Sequence, residues 1–351
     1  MRADAPQPLP AQMRRKRPAP PLVSLVVPVF NEEDVIPVFL DRVRPLLSSD
    51  AEWEILFIND GSRDRTLEVL FASAEKDPRI VVLNLSRNFG KEAALTAGID
   101  HARGDALVIL DVDLQDPPEL IGDFLARWRE GYDVVYGVRV DRSSDTFLKR
   151  FMAAAYYRVF GALTETPMPP NVGDFRLIDR RVAEALRQLP ERNRFMKGLF
   201  AWVGFPACAV PYVRPKRAAG ATKFRFRRLW NFALDGIVGF SAAPIKIWTY
   251  LGLSVGAAAA IYAGFIAIKT MIEGVEVPGY ASTMIAILLA CALQLVSTGI
   301  LGEYVGRLFT EVKHRPIYLL EGLYTHAPDA DGAERGEAAT LIPKDQSTAS
   351  R

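Results

Sequence analysis

Two stretches of this chain carry no charged side chain at all, Trp248 to Ile268 and Tyr280 to Leu301. Each is about the 20 residues that a helix needs to cross a hydrocarbon core. Helices buried in soluble cores are seldom so long and so uniformly apolar, so the pattern predicts two membrane spans. Gln294 is the strongly polar residue inside the second, suited to a helix-to-helix contact. Flanking charge sets their orientation. Arg214, Lys216, Arg217, Lys223, Arg225, Arg227, Arg228 and Lys246 precede the first span, and Arg307, Lys313, His314 and Arg315 follow the second, while the connecting EGVEVPG has two glutamates and no base. An excess of Lys and Arg marks the cytoplasmic side, which puts both ends and the large N-terminal part in the cytoplasm. Arg225 to Phe240 mixes bases with aromatics at helical spacing, either an interfacial helix before the first span or an ordinary soluble amphipathic helix.

A chain of 351 residues, half of them hydrophobic, exceeds one ordinary compact domain. Its net charge of +2 says little, but the distribution does. Residues 1–21 are Pro-rich and basic (RRKRPAPP) without an apolar core, which reads as a disordered tail and not a signal peptide. Residues 326–351 are polar and read as a second tail. Only Cys208 and Cys291 occur, which excludes a disulfide framework or a thiolate metal site, and His101, His314 and His326 lack ligand spacing, which argues against zinc.

Between Leu22 and about Arg214, short apolar runs alternate with amphipathic segments. The strand candidates are 22–30, 53–59, 80–85, 106–110 and 133–138. Continuous apolar strands joined by helical crossovers predict an α/β fold with a mostly parallel sheet covered on both faces. Ligands of such sheets bind beyond the carboxyl ends of the strands. Polar clusters follow four of the runs: Pro28-Val29-Phe30-Asn31-Glu32-Glu33, Asn59-Asp60-Gly61-Ser62, Ser86-Arg87-Asn88-Phe89-Gly90-Lys91, and Asp111 with Asp113. Each also has a plain reading, since Asn31 can cap a helix, Asp60-Gly61 is a turn and Asn88-Phe89-Gly90 a loop. Their shared edge makes them a candidate site.

The segment VILDVDLQDPPE runs a strand straight into two acids at i and i+2. Asp111 and Asp113 can converge on one hard cation if the loop bends; otherwise they solubilise a strand end. Asp116, before Pro117 and three before Glu119, has capping-box spacing. Asp60, the acid pair, and the cations Arg87, Lys91 and Arg139 suit a metal-bound diphosphate with a ribose and base beside it. No GxxxxGK[ST] loop and no GxGxxG after the first strand occurs, which argues against a P-loop NTPase and a dinucleotide dehydrogenase. A nucleotide-diphosphate donor remains, and no feature points to nucleic acid.

The combination PVFNEE, INDGSRDRT, LSRNFGKEAALTAGIDHA, LDVDLQDPPE, GDFRLIDRRV and Arg217-x-x-Gly220-x-Thr222-Lys223-Phe224, followed by two apolar spans, resembles the family-2 glycosyltransferases of GT-A (Rossmann-like) fold that transfer a sugar to polyisoprenyl phosphate. Their members include dolichyl-phosphate mannose synthases and bacterial undecaprenyl-phosphate glucosyl- and aminoarabinosyl-transferases. The likeness covers residues 22–325. It implies that Asp111 and Asp113 bind Mg2+ or Mn2+ with Gln115 as a further ligand. It also implies that Pro28, Phe30, Asn31, Glu32, Asp60 and Val112 line the nucleotide-sugar pocket, with Ser86, Arg87, Asn88, Lys91 and Arg139 on its phosphate side. Asp174 in GDFRL would face the sugar as a hydroxyl ligand or weak base, or be a turn acid after Gly173. Arg150, Arg217, Thr222 and Lys223 would receive the acceptor phosphate. This chain has Asn59 where many relatives have an acid, and Thr222 where they often have Ser.

The expected plan is therefore a tail (1–21), a GT-A catalytic domain (22–214), a basic loop and interfacial helix (215–243), a transmembrane hairpin (244–307), a cytosolic juxtamembrane segment (308–325) and a second tail (326–351). The implied enzyme is an inverting hexosyltransferase of the bacterial inner (plasma) membrane, moving glucose from UDP-glucose to undecaprenyl phosphate, with homo-oligomers formed through the spans as in relatives. A GDP-mannose/dolichyl-phosphate type, an aminosugar transferase and a non-catalytic nucleotide-sugar binding protein are the alternatives. A processive polysaccharide synthase needs a QxxRW element and more spans, and a flippase more helices still; neither is visible.

Overall fold

The computed structural model describes residues 15–139, 172–192, 194–213, 243–273 and 279–325. The chain divides into two compact units. The first holds an eight-stranded sheet in the order β7-β5-β6-β4-β1-β2-β3-β8. Its strands are β1 (Leu22–Val29), β2 (Glu52–Asn59), β3 (Ile80–Leu85), β4 (Ala106–Ile109), β5 (Val134–Arg139), β6 (Val172–Asp179), β7 (Ala207–Tyr212) and β8 (Leu320–Tyr324). The helices are α1 (Val35–Val43), α2 (Thr66–Lys76), α3 (Lys91–His101), α4 (Ile121–Arg129), α5 (Arg180–Gln188) and α6 (Met196–Trp202). β1 pairs in parallel with β2 and β4, and β2 with β3, so the centre is the expected parallel arrangement. β6 runs antiparallel to β4 and β5, and β8 antiparallel to β3.

The alternation of side chains along a strand explains why the central runs are apolar throughout. Leu25 and Val27 of β1 and Ile55 and Phe57 of β2 enter a core with Ile36 and Phe39 of α1, Leu70 of α2 and Phe124 and Trp128 of α4. The opposite face receives α3, whose residues 93–99 are all buried. A Cβ at Gly98 would lie 2.4 Å from Val26 Cγ1 and 2.9 Å from Ile58 Cδ1, so α3 rests directly on β1 and β2. The Ala- and Gly-rich sequence of this helix follows from that close approach, and its first residue, Lys91, is thereby fixed at the carboxyl edge of the sheet.

Two expectations are corrected within this unit. The segment read as a tail through residue 21 is held from Arg17 onward, because its guanidinium meets the buried carboxylates of Asp133 (3.0 Å) and Asp179 (2.5 Å) and the carbonyls of Trp128 and Tyr132. The segment read as juxtamembrane, 308–325, contributes its last residues to β8, which covers the edge of β3. An uncovered edge would leave a row of unpaired backbone groups.

The second unit contains α7 (Ala243–Glu273, 31 residues) and α8 (Tyr280–Val312, 33 residues), which touch each other. Over the described residues alone, no helix is long and apolar enough to cross a membrane. The expected interfacial helix at 225–240 and both outer tails, residues 1–14 and 326–351, lie outside the described residues.

Candidate active site

The carboxyl ends of β1, β2, β3 and β4 open into loops on one edge, joined there by the start of β6. The β4 strand delivers Asp111 and Asp113, and Leu114 turns the chain immediately afterwards at φ 52°, a left-handed bend that a non-glycine residue seldom adopts. Such strained residues concentrate at functional sites. Val112, between the acids, is buried, whereas Asp113 is exposed and accepts hydrogen bonds from the backbone (3.2 Å) and side-chain amides of Gln115.

Lys91 is the centre of charge. Its Nζ lies 2.7 Å from Asp111 and 2.6 Å from Asp174, so one ammonium joins the acid from β4 to the acid from β6. Lys197 of α6 stands 3.8 Å from the other oxygen of Asp174. Burial raises the Asp111 carboxyl above its ordinary range; Lys91 opposes this, while Asp174 and Asp113 add to it. For Asp174 burial acts in the same direction but Lys91, Lys197 and Arg176 outweigh it, holding the group well below the usual carboxylate range. Asp174 is therefore a fixed anion and a poor proton acceptor at neutral pH. Beside it, burial and then the Asp174 charge push Glu92 up to about 7, while its carboxylate accepts the Met196 N–H at 3.1 Å. Arg176 is buried, donates to the carbonyls of Gly173 and Asp174, and stacks on Phe200 at 4.0 Å. It fixes the backbone that carries Asp174.

Next to this cluster, along the same loops, lies a cleft of about 480 Å3 lined by Phe30, Asn31, Asn59, Gly61, Ser62, Arg63, Leu67, Asn84, Leu85, Ser86, Arg87, Asn88 and Glu321. A pocket of that size suits a nucleoside. Two loops meet closely at its base: a Cβ at Gly61 would sit 2.4 Å from the Arg87 carbonyl carbon, and Gly61 has φ +64°. Only glycine satisfies both conditions.

Asp60 has partners of its own at the edge of this cleft. Buried at 4 % exposure, it accepts the backbone N–H groups of Phe89 (2.7 Å) and Gly90 (2.9 Å), and so braces the loop that carries Arg87 and Lys91. Burial raises its pKa despite those two donors. Asn31 does not cap α1, whose N-cap is Asp34; at φ 54° it accepts from Arg63 N–H (2.8 Å) and donates its own N–H to Ser62 Oγ (2.9 Å). Pro28 pairs with Ile58 in the sheet, and Glu32 donates its backbone N–H to Thr66 Oγ1. Burial, then the charges of Asp113 and Asp64, raise the Glu32 carboxyl.

Asp116 is not a helix cap. The short 3-10 turn Pro118–Leu120 begins from Pro117 without a side-chain cap, and Asp116 instead accepts the Tyr212 hydroxyl (2.5 Å) and faces Arg139 at 3.5 Å. The long-range partner on β7 displaced the local one. Arg139 also donates to Tyr212 at 3.1 Å, and burial followed by the Asp116 hydrogen bond pushes that phenol up to about 12. The acceptor-phosphate candidates Arg150, Arg217, Thr222 and Lys223 lie outside the described residues.

Sequence reasoning passed over Lys197, Arg176, Glu92, Asn84 and Glu321. Arg176 in GDFRLIDRRV and Glu92 in LSRNFGKEAALTAGIDHA stood inside motifs already singled out; Lys197, Asn84 and Glu321 come together with the site through tertiary contacts.

Among the described residues no three of His, Cys, Asp and Glu are placed to hold a metal by themselves. Asp111, Asp113 and Gln115 nevertheless offer hard oxygen donors, and a cation would offset both the burial that raises Asp111 and the lesser repulsion from Asp174 and Asp113. Two carboxylates completed by diphosphate oxygens fit the usual demand of Mg2+, which takes one or two carboxylates and substrate phosphates.

Acids, cations and a nucleoside-sized cleft along the carboxyl edge of a parallel α/β sheet define a group-transfer enzyme with a phosphorylated, activated donor. The chain belongs to glycosyl transferase family 2, whose model matches residues 24–187. It is 50 % identical over 303 residues to an uncharacterized glycosyltransferase of Synechocystis sp., spanning 86 % of this chain and 95 % of that one. It is 48 % identical over 300 residues to a bactoprenol glucosyl transferase of Shigella phage SfV, spanning 85 % and 98 %. A prophage bactoprenol glucosyl transferase homolog of Escherichia coli (strain K12) is likewise 48 % identical, over 85 % and 98 %. Among solved structures, the mannosyltransferase PcManGT from Pyrobaculum calidifontis in complex with GDP-Man and Mn2+ aligns over 85 % of this chain and 88 % of that one. The two superpose with a TM-score of 0.41 at 19 % identity.

Proposed function

We propose that this glycosyltransferase moves glucose from UDP-glucose to undecaprenyl phosphate, with inversion, at the cytoplasmic face of the inner membrane. The observation that carries the reading is the Lys91 bridge between Asp111 and Asp174, set beside a nucleoside-sized cleft on the shared β3–α3 loop. Relatives named bactoprenol glucosyl transferase, nearly half identical over most of the chain, support the acceptor and the sugar.

The phosphate oxygen of the lipid is already anionic at neutral pH, so the displacement requires alignment and not a strong base. That oxygen bonds to the anomeric carbon from the face opposite the donor phosphate, the bond to the nucleoside diphosphate breaks, and the configuration inverts. Asp174, kept ionised by Lys91 and Lys197, accepts a hydrogen bond from a sugar hydroxyl and is unsuited to take a proton. Arg87 and the backbone N–H groups at the start of α3 face the diphosphate. Lys91 holds the two acids in register. A Mg2+ or Mn2+ held by Asp111 and Asp113, with Gln115, would supply charge neutralisation for the departing diphosphate.

The membrane forms part of the same proposal. Helices of 31 and 33 residues are about 46 Å and about 50 Å long, more than a bilayer core requires. They expose large apolar side chains such as Ile261, Phe265, Met271, Leu295 and Leu308. The basic run 214–228 stands before the first of them, where a lipid phosphate must be met.

The test is transfer of labelled sugar from a panel of UDP- and GDP-sugars into organic-extractable polyprenyl phosphate by membranes that contain the full chain. Glucose from UDP-glucose should be the preferred transfer, and Asp111→Asn or Asp113→Asn should lower it by about 100-fold or more while the protein remains folded in the membrane. Retained turnover in either variant would overturn the role of the acid pair, and a lipid product with another sugar would overturn the donor.

A further inference from the structure

Glu321 is the one acid among the described residues that line the cleft, and it comes from the last strand, beyond both long helices. Its placement is a consequence of register. In the antiparallel pair of β3 and β8, Asn84 lies opposite Gly322 and Leu85 opposite Leu320, so Glu321 is the residue skipped at the shift. A bulge of this kind bends the strand and re-aims a side chain, and bulges recur beside active sites. Here it turns the carboxylate over the carboxyl edge of the neighbouring strands.

A directional chain of hydrogen bonds orients that carboxylate. The backbone N–H of Ser62 donates to Asn59 Oδ1 at 3.2 Å, Asn59 Nδ2 donates to Asn84 Oδ1 at 2.8 Å, and Asn84 Nδ2 donates to Glu321 Oε2 at 2.9 Å. The chain starts at a group that can only donate and ends at one that, ionised, can only accept, so neither amide can be flipped without breaking it. Asn59 and Asn84 are buried at 2 % and 6 % exposure, which makes the arrangement rigid. No described residue donates to the second oxygen of Glu321, and that residue is exposed at the rim.

We propose that Glu321 reads the nucleobase of the donor. Its outer oxygen accepts a hydrogen bond from a ring N–H, which uracil presents at N3 and guanine at N1. Cytosine and adenine carry an unprotonated acceptor at the corresponding ring position and would face the carboxylate with no proton between them. A site built to receive an N–H loses its bond and leaves a charge unmatched when the wrong base enters, which is a strong basis for discrimination. The assignment rests on the reading of the cleft as a nucleotide-sugar site.

The polarity of the amide chain also fixes what a substitution does. In Glu321→Gln, Asn84 Nδ2 still requires an acceptor, so the new amide presents its oxygen to Asn84 and its NH2 to the base. The preference should then turn toward a base with a ring acceptor. The experiment is competition binding of UDP, GDP, CDP and ADP to the full-length protein, for the native chain, Glu321→Gln and Glu321→Ala, with donor KM and kcat measured beside it. The native chain should bind UDP or GDP about tenfold or more tightly than CDP and ADP, and the UDP and GDP arms decide which base it takes. Glu321→Gln should shift the ratio toward CDP by about tenfold, and Glu321→Ala should flatten it, both acting mainly on KM. Unchanged preference in both variants, with native melting behaviour, overturns the role of Glu321 and leaves the cleft a nucleotide site. Absence of any nucleotide binding by the native chain overturns the site itself.

Discussion

Glu92 permits a quantitative test of the electrostatics around Lys91. Its carboxyl rises from an ordinary 4.5 to about 7, first through burial and then through the Asp174 charge. The folded state therefore holds the Glu92 proton more tightly than the unfolded chain. The stability this contributes is complete below about pH 4.5 and is lost as pH rises through about 7. A displacement of about 2.5 pH units at 1.36 kcal/mol each corresponds to roughly 3 kcal/mol, and partial solvent access reduces this to about 2 kcal/mol. Glu92→Gln cannot ionise and keeps an oxygen for the Met196 N–H, so it lacks the dependence. In thermal melts of the full chain, native protein and Glu92→Gln should diverge as pH rises from about 4.5 to about 7.5, the native losing about 4–8 °C relative to the variant. The difference should be level on either side of that window. A difference that stays constant across it, or that moves in favour of the native chain with rising pH, would show that the folded state does not hold the Glu92 proton more tightly than the unfolded chain.

Two further changes test the scaffold. Gly98→Leu drives a side chain into Val26 and Ile58, where even a Cβ is too close, and should cost about 3 kcal/mol as a lowered denaturation midpoint; a neutral result would show that α3 can lift from the sheet. Arg17→Ala removes the guanidinium between two carboxylates that are about 5 % exposed, and should destabilise the chain by about 3 kcal/mol in chemical unfolding, whereas an effect below about 1 kcal/mol would show the N-terminal arm to be incidental.

The centre of the fold was readable because its strands are buried on both faces and so spell out unbroken apolar runs; the boundaries of β1 to β5 fall within one residue or so of those runs. β6 was hidden by its own content: GDFRLID interrupts the apolar pattern with Asp174 and Arg176, charged groups that mark a site and mask a strand. β8 is five residues long with one apolar face, too short for periodicity to distinguish from a loop. The site shows the same division. Acids and cations that follow a strand in sequence were found from their position in the pattern. The capping role expected of Asp116 gave way to a tyrosine 96 residues on, and Asp60 acquires partners in a loop 29 residues on. Such pairings leave no trace in local spacing. Glu321 lies 237 residues from the asparagine that orients it.

That last separation bears on biogenesis. Synthesis proceeds from the N-terminus, and domains fold in that order. Everything needed for β1 to β7 leaves the ribosome long before Leu320, and the long helices α7 and α8 are made in between. Throughout that interval β3 is an open margin of the nascent sheet, able to recruit any extended segment nearby. The final strand acts as a late closure, so a message cut short within either helix yields a polypeptide whose sheet is nearly complete yet unsealed and adhesive.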